Sequence, residues 1–167
     1  MKLELAKTAD VKEISKLLNL AYRGTGGWTT ESALVKGARS SENAVAIDIQ
    51  TPNTFVLVSR IKNNIKACIS VTENENRVYI GSFAVHPELQ NLGYGKIVLN
   101  LAEQYAIAHF KPVQFIMTVL SSRKELIEYY LRRGYERNGI TEEYPIHLNV
   151  GVPINPNLTI EELTKNV

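Results

Sequence analysis

Between residues 85 and 96 the chain reads Val85-His86-Pro87-Glu88-Leu89-Gln90-Asn91-Leu92-Gly93-Tyr94-Gly95-Lys96. A strand-like run ends at His86-Pro87, because proline cannot donate to a sheet ladder, and a helical periodicity starts just beyond. A helix N-terminus carries N–H groups without intrahelical acceptors and the positive end of the helix dipole. Gly93 and Gly95 remove the side chains that would keep an anion off that backbone, and Lys96 adds a cation. The chemistry implied is cradling of a phosphate or pyrophosphate. Two other glycine motifs fail on register. A P-loop requires glycine at 90 and Ser or Thr at 97, where Gln90 and Ile97 stand. A dinucleotide fingerprint requires glycine at 98, which is Val98, after the first strand of a βαβ unit.

A second segment runs from Ser121 to Tyr135. Ser122 to Glu125 has the capping-box pattern, Leu126, Ile127, Tyr130 and Leu131 recur on one helical face, and Gly134 stands at the C-terminal stop. On residues alone, Tyr130 reads as a core tyrosine.

Taken together, the two segments resemble the Gcn5-related N-acetyltransferases (GNAT), whose pyrophosphate loop reads Arg/Gln-x-x-Gly-x-Gly/Ala between a strand and a helix. Their later helix carries aromatic-Tyr-x-x-x-Gly-Phe/Tyr, matched here by Tyr129-Tyr130 and Gly134-Tyr135. The similarity covers about residues 3–140. It implies acetyl-CoA as co-substrate, held by Phe83, Ala84, Val85, Gln90, Asn91, Leu92, Gly93, Tyr94, Gly95, Lys96, Ser122 and Tyr130. It implies that the strands around 77–85 and 113–120 splay so that pantetheine lies between them as an added strand. The N–H near Val85 would then steady the thioester oxygen. Tyr130 would protonate the departing thiolate; a phenol at about 10 and a thiol at about 8.5 are closely matched. Many relatives have Asn early in the second segment, where this chain has Ser121-Ser122, which bears on one hydrogen bond to the cofactor.

The same resemblance places the glycine-rich loop Gly24–Glu31 over the acceptor, making Trp28, Glu31 and Arg123 the candidate acceptor contacts, with Tyr22, Arg23 and Arg39 nearby. Trp28 reads equally as a lid on the core or as a wall of the acceptor pocket. The similarity supplies no particular acceptor. No general base stands out: Glu31, Glu73 and Glu75 are candidates, and loss of the amine proton to solvent serves as well. Cys68, mid-strand between Ala67 and Ile69 with no neighbouring His, reads as a buried structural thiol rather than an acetyl carrier. His86 reads as a turn residue and His109 as a helix-end partner of the dipole.

The elements that must hold these groups follow from periodicity. Residues 3–5 read as a strand and 10–22 as an amphipathic helix opened by Thr8 or Asp10. A second helix is expected over about 31–39. Strands are expected over 54–60, 65–72 and 77–85, with a hairpin turn at Asn63-Asn64. A helix over about 93–109, a central strand over 113–120 and the tyrosine helix follow, and Thr159-Ile160-Glu161-Glu162 looks like the start of a short terminal helix. The fold class is α/β (α+β): a GNAT-type mixed sheet, antiparallel meander plus splayed parallel pair, with helices on both faces.

With 167 residues and no interdomain linker, one N-acetyltransferase domain over 1–167 is expected. A net charge of +2 with scattered basic residues gives no nucleic-acid signature. One cysteine precludes an internal disulfide and suits a cytoplasmic setting; no apolar run reaches membrane-spanning length. The expectation is an enzyme, monomer or homodimer, moving acetyl to a small-molecule primary amine without a metal. The alternatives are a non-catalytic acyl-CoA-binding sensor, which would not need Tyr130, and a transferase for longer acyl chains.

Overall fold

The computed structural model describes residues 1–167. Strand β1 (Glu4–Leu5) precedes a 3-10 turn (Thr8–Asp10) and helix α1 (Val11–Arg23). After a short strand β2 (Val35–Lys36) come α2 (Glu42–Gln50), β3 (Thr54–Ile61), β4 (Asn64–Asn74) and β5 (Arg77–Val85). Helix α3 (Tyr94–Phe110) leads to β6 (Gln114–Leu120), α4 (Lys124–Leu131), β7 (Glu136–Glu143), β8 (Val152–Pro153) and β9 (Thr159–Asn166). Seven strands form one sheet in the order β1-β3-β4-β5-β6-β9-β7, while β2 and β8 make a separate two-stranded ladder.

The meander expected from the sequence is present: β3, β4 and β5 are antiparallel, and α3 carries the chain across to β6, parallel to β5. Its first turn sits one residue early. Lys62 and Asn63 both have left-handed φ (49° and 65°), and Ile61 pairs with Asn64, the geometry that a two-residue hairpin turn demands. Asp10 does not cap α1. Its carboxylate instead accepts from the Lys7 N–H at 2.8 Å and pairs with Arg60 at 2.7 Å.

Two expected helices are absent, and one cap moves. Residues 31–39 form a turn and β2, held by pairing of Val35–Lys36 with Val152–Pro153. The second helix begins at Glu42, where Ser41 Oγ accepts from the Ala44 N–H at 3.1 Å. Residues 159–162 open strand β9, not a helix. It lies between β6 and β7 and pairs with β6 from Gln114↔Asn166 to Leu120↔Ile160. Pairing on both sides satisfies a run of backbone groups that a short exposed helix would leave half-bonded at its ends. Helix α4 is capped at Arg123 without a side-chain bond, so the Ser122–Glu125 pattern does not act as a capping box.

The sheet buries both faces. On one, Val98, Leu99, Ala102 and Ala106 of α3 and Ile127 of α4 close over β4, β5 and β6. On the other, Ile14, Leu17, Leu18 and Ala21 of α1 and Val45 of α2 cover β3 and β4. Cys68 is wholly buried there, as expected of a structural thiol.

The feature that makes room for a site is the parallel pair. Strands β5 and β6 pair only at Arg77↔Gln114, Val78↔Phe115 and Tyr79↔Ile116, then part. Tyr79 Oη and Thr118 Oγ1 bond across the vertex at 2.8 Å. On β4, Ser70 faces Gly81 but Cys68 faces Ala84, so β5 carries one extra residue. Ser82, with φ 44°, lies in this bulge, and a bulge bends its strand.

Candidate active site

The opening between β5 and β6 holds two adjoining cavities, of about 460 and 140 Å³. Tyr22, Phe83, Arg123, Leu126 and Tyr130 line both. The His86 N–H bonds the Lys66 carbonyl at 2.8 Å, and bonding alternates along an antiparallel ladder, so Ala84 also faces β4 while Val85 faces the gap. The gap-facing carbonyls already have side-chain partners. Phe83 O accepts from Tyr22 Oη at 3.1 Å, and Val85 O from Gln90 Nε2 at 2.9 Å.

The larger cavity is built on the start of α3. Gly93 precedes the helix with φ 82° and no side-chain cap, and the first helical bond back to it comes from Ile97. The N–H groups of Tyr94, Gly95 and Lys96 therefore have no intrahelical acceptor. Asn91, with φ 61°, and Gly93 together turn the loop. Lys96, Arg123, Arg132 and Arg133 line this cavity, and no carboxylate does. Three of its buried polar atoms lack partners: Arg123 Nε, Tyr129 Oη and Arg133 Nε. Arg133 lies over the Tyr129 ring, 3.2 Å from its centre, and donates to the Tyr129 carbonyl. A multiply anionic ligand fits such a surface, because it would pair the cations and the orphaned donors together.

The smaller cavity has a different character. Glu31 is buried and both its oxygens are engaged: Arg23 takes one and Arg123 the other, the latter at 3.0 Å. Arg23 also donates to the carbonyls of Gly37 and Val150. Arg39 lies 4.8 Å from the centre of the Tyr22 ring. Met117, Val119, Leu120 and Ile160 supply apolar walls.

Tyr130 stands where the cavities meet, buried, and burial raises its hydroxyl pKa above the ordinary value. The neighbouring Tyr22 and Tyr129 push the same way, while Arg123 and Arg133 oppose them. The phenol is therefore protonated at neutral pH. Burial likewise pushes the Cys68 thiol up to about 12, and the thiol donates to the Ser82 carbonyl at 3.4 Å.

Of the residues singled out in the sequence, Trp28, Phe83, Ala84, Val85, Gln90, Asn91, Gly93, Gly95, Lys96, Arg123 and Tyr130 line the larger cavity, and Glu31 the smaller. Leu92, Tyr94 and Ser122 line neither, though Leu92 and Tyr94 belong to the same turn. Glu73 and Glu75 sit at the β4–β5 turn, the paired end of β5, and line neither cavity. Trp28 is 42% exposed, packs at 5.9 Å on Tyr129, and donates its backbone N–H to Gln90 Oε1 at 2.6 Å. It thus packs beside the Gln90 turn at the larger cavity and lines no part of the smaller one. Sequence reasoning missed Tyr129 and Arg133, whose i, i+4 spacing was the available signal.

A family model described as Acetyltransferase (GNAT) family matches residues 13–135. A search of curated proteins by sequence finds no significant match. Solved structures resemble the chain over nearly its whole length. A Streptococcus mutans UA159 protein superposes with a TM-score of 0.76 at 16% identity, covering 99% of each chain. The spermidine N-acetyltransferase of Vibrio cholerae, in complex with CoA and spermine, gives 0.73 at 14% identity, covering 99% of this chain and 94% of that one. The ribosomal-protein-S18-alanine N-acetyltransferase of Escherichia coli gives 0.72 at 14% identity, covering 99% and 93%.

Proposed function

Because the chain belongs to the GNAT acetyltransferase family, we propose that it moves acetyl from acetyl-CoA to the primary amine of a small molecule by direct attack in a ternary complex. The observation that carries this reading is the meeting of two unlike cavities at one buried, protonated phenol, Tyr130. One cavity suits a pyrophosphate and the other a second substrate.

Bound acetyl-CoA supplies an activated acyl carbon and a thiolate leaving group. The chain supplies the rest. The free N–H groups at the start of α3, with Lys96, Arg132 and Arg133, hold the phosphates. The N–H of Val85, facing the gap, offers a donor to the acyl oxygen as it gains charge. The amine nitrogen bonds the acyl carbon, the carbon–sulfur bond breaks, and the sulfur takes the Tyr130 proton. The surplus proton on nitrogen leaves and a proton returns to Tyr130, so one proton passes in net from amine to thiol. Burial makes the phenol reluctant to ionise; Arg123 and Arg133 stabilise the phenolate that transfer leaves. Holding both substrates beside Tyr130 supplies proximity.

Cys68 does not fit a ping-pong carrier. It is buried, lines neither cavity and holds its proton. The acceptors named for the structural neighbours range from spermidine to a ribosomal protein, so the acceptor has to be read from this chain's own cavity. Incubation with acetyl-CoA and a panel of amines, following free thiol, tests the reading. Amine-dependent thiol release is expected. CoA binding without thiol release for any amine would leave an acyl-CoA sensor instead.

A further inference from the structure

The smaller cavity carries an excess of positive charge. Its charged lining residues are Glu31, Arg39 and Arg123. Glu31 is spent: Arg23 and Arg123 engage its two oxygens in a buried cluster that keeps one positive charge in excess. Arg39 adds another. Arg39 is half-buried, its guanidinium 4.8 Å from the centre of the Tyr22 ring, with no side-chain hydrogen bond and no carboxylate within ion-pair distance. Asp48 feels Arg39 electrostatically but forms no ion pair with it. Arg123, where the two cavities join, is only 8% exposed and keeps its Nε buried and unpartnered. Arginine without a carboxylate partner, beside an apolar wall, is a receptor for a planar anion.

We propose that the acceptor is an amine that also carries a carboxylate, an amino-acid-like molecule whose acid group is held by Arg39 in the smaller cavity. The inference rests on the transferase reading and narrows its substrate class. A polyamine would bring a second ammonium to a place with no free carboxylate and two positive charges in excess, one from Arg39 and one from the Arg23–Glu31–Arg123 cluster, and like charges repel strongly where water is scarce. A carboxylate there offsets one of the two charges and leaves the other. The same arginines disfavour the protonated form of the amine, since a nearby like charge lowers an ammonium pKa. This helps to supply the neutral nucleophile in a site whose one carboxylate, Glu31, is already engaged.

The test is a paired panel with acetyl-CoA: free amino acids, the same amino acids as carboxamides, and a diaminoalkane, each scored as kcat/KM by thiol release. At least one acid should exceed its own carboxamide by roughly thirtyfold or more, the scale of losing one partner of a desolvated charge pair. Arg39→Gln should collapse that acid-to-amide ratio toward one while leaving the KM of acetyl-CoA unchanged, and Arg39→Lys should restore part of it. A diaminoalkane turned over as well as the best acid, or an acid-to-amide ratio untouched in Arg39→Gln, overturns the inference but leaves the transferase. No thiol release from any amine, with CoA still bound, overturns both.

Discussion

The hydroxyl of Tyr129 stands 2.7 Å from the point a Cβ on Gly95 would occupy, and it has no hydrogen-bond partner of its own. The relationship explains a glycine inside the first turn of α3, where alanine would favour the helix by about 1 kcal/mol. The missing side chain leaves room for the phenol, and together they shape the floor of the larger cavity.

Replacing Gly95 with Ala should therefore push the Tyr129 ring aside. The gain in helix propensity offsets part of the crowding, so the unfolding midpoint should move little while CoA affinity falls by about tenfold or more, roughly 1.4 kcal/mol. Calorimetric titration with CoA, beside a thermal melt, reads both. Gly93→Ala acts differently, because its space is open but its φ is 82°; there a stability loss of about 1 kcal/mol is expected. Unchanged CoA affinity in a folded Gly95→Ala variant would mean that the start of α3 is not the phosphate site.

Tyr130→Phe removes only the hydroxyl from a residue packed among Ile127, Tyr129 and Tyr135. Acetyl-CoA affinity should survive, and turnover should fall by roughly 10²-fold or more, the usual scale for a positioned acid. Equal kcat in variant and parent would reduce Tyr130 to a packing residue.

Cys68 should behave as an inert thiol. With its pKa near 12 and its side chain wholly buried, it should resist alkylation at pH 8 in the folded protein and react only on unfolding. Cys68→Ala should keep acetyl transfer at near parental rate. Rapid labelling of the native protein, with matching loss of activity, would bring an acyl-cysteine back into consideration.

Asp10 supplies a pH test of the fold. Burial raises its pKa, but the Lys7 N–H and Arg60 outweigh that and hold it below the usual carboxylate value. A depressed folded pKa means stability that is present above the unfolded value, near 4, and lost as pH falls through the folded one. Asp10→Asn should cost about 1 kcal/mol at pH 7, allowing for solvent screening, and the gap should be smaller at pH 3, as the lowered folded value is approached. Denaturant titrations at the two pH values measure it; an equal gap at both would assign the effect to packing.

What the chain's order of residues determined by itself was local. The strand ending at Val85, the turn through Gly93 and the helix from Tyr94 follow from rules acting over a few residues: proline stops a ladder, glycine takes a left-handed turn, and apolar spacing sets a helix face. The meander was equally legible, because its hairpins close over two-residue turns. Tyr130 was identified by its motif, not by its chemistry.

Tertiary structure alone decided the rest. Thr159–Asn166 carries acidic residues and a plausible cap, yet becomes a strand because β6 and β7 offer it partners on both sides, a long-range effect that outweighs weak helix propensity. The acceptor cavity is likewise invisible along the chain: Arg123 meets Glu31 across 92 residues, and nothing near either one signals the other. Whether a carboxylate is a free base or a spent partner, and whether an arginine is paired or waiting for a ligand, depends on which distant charges folding brings within a few ångströms, where Coulomb energy falls off with distance in space and not in sequence.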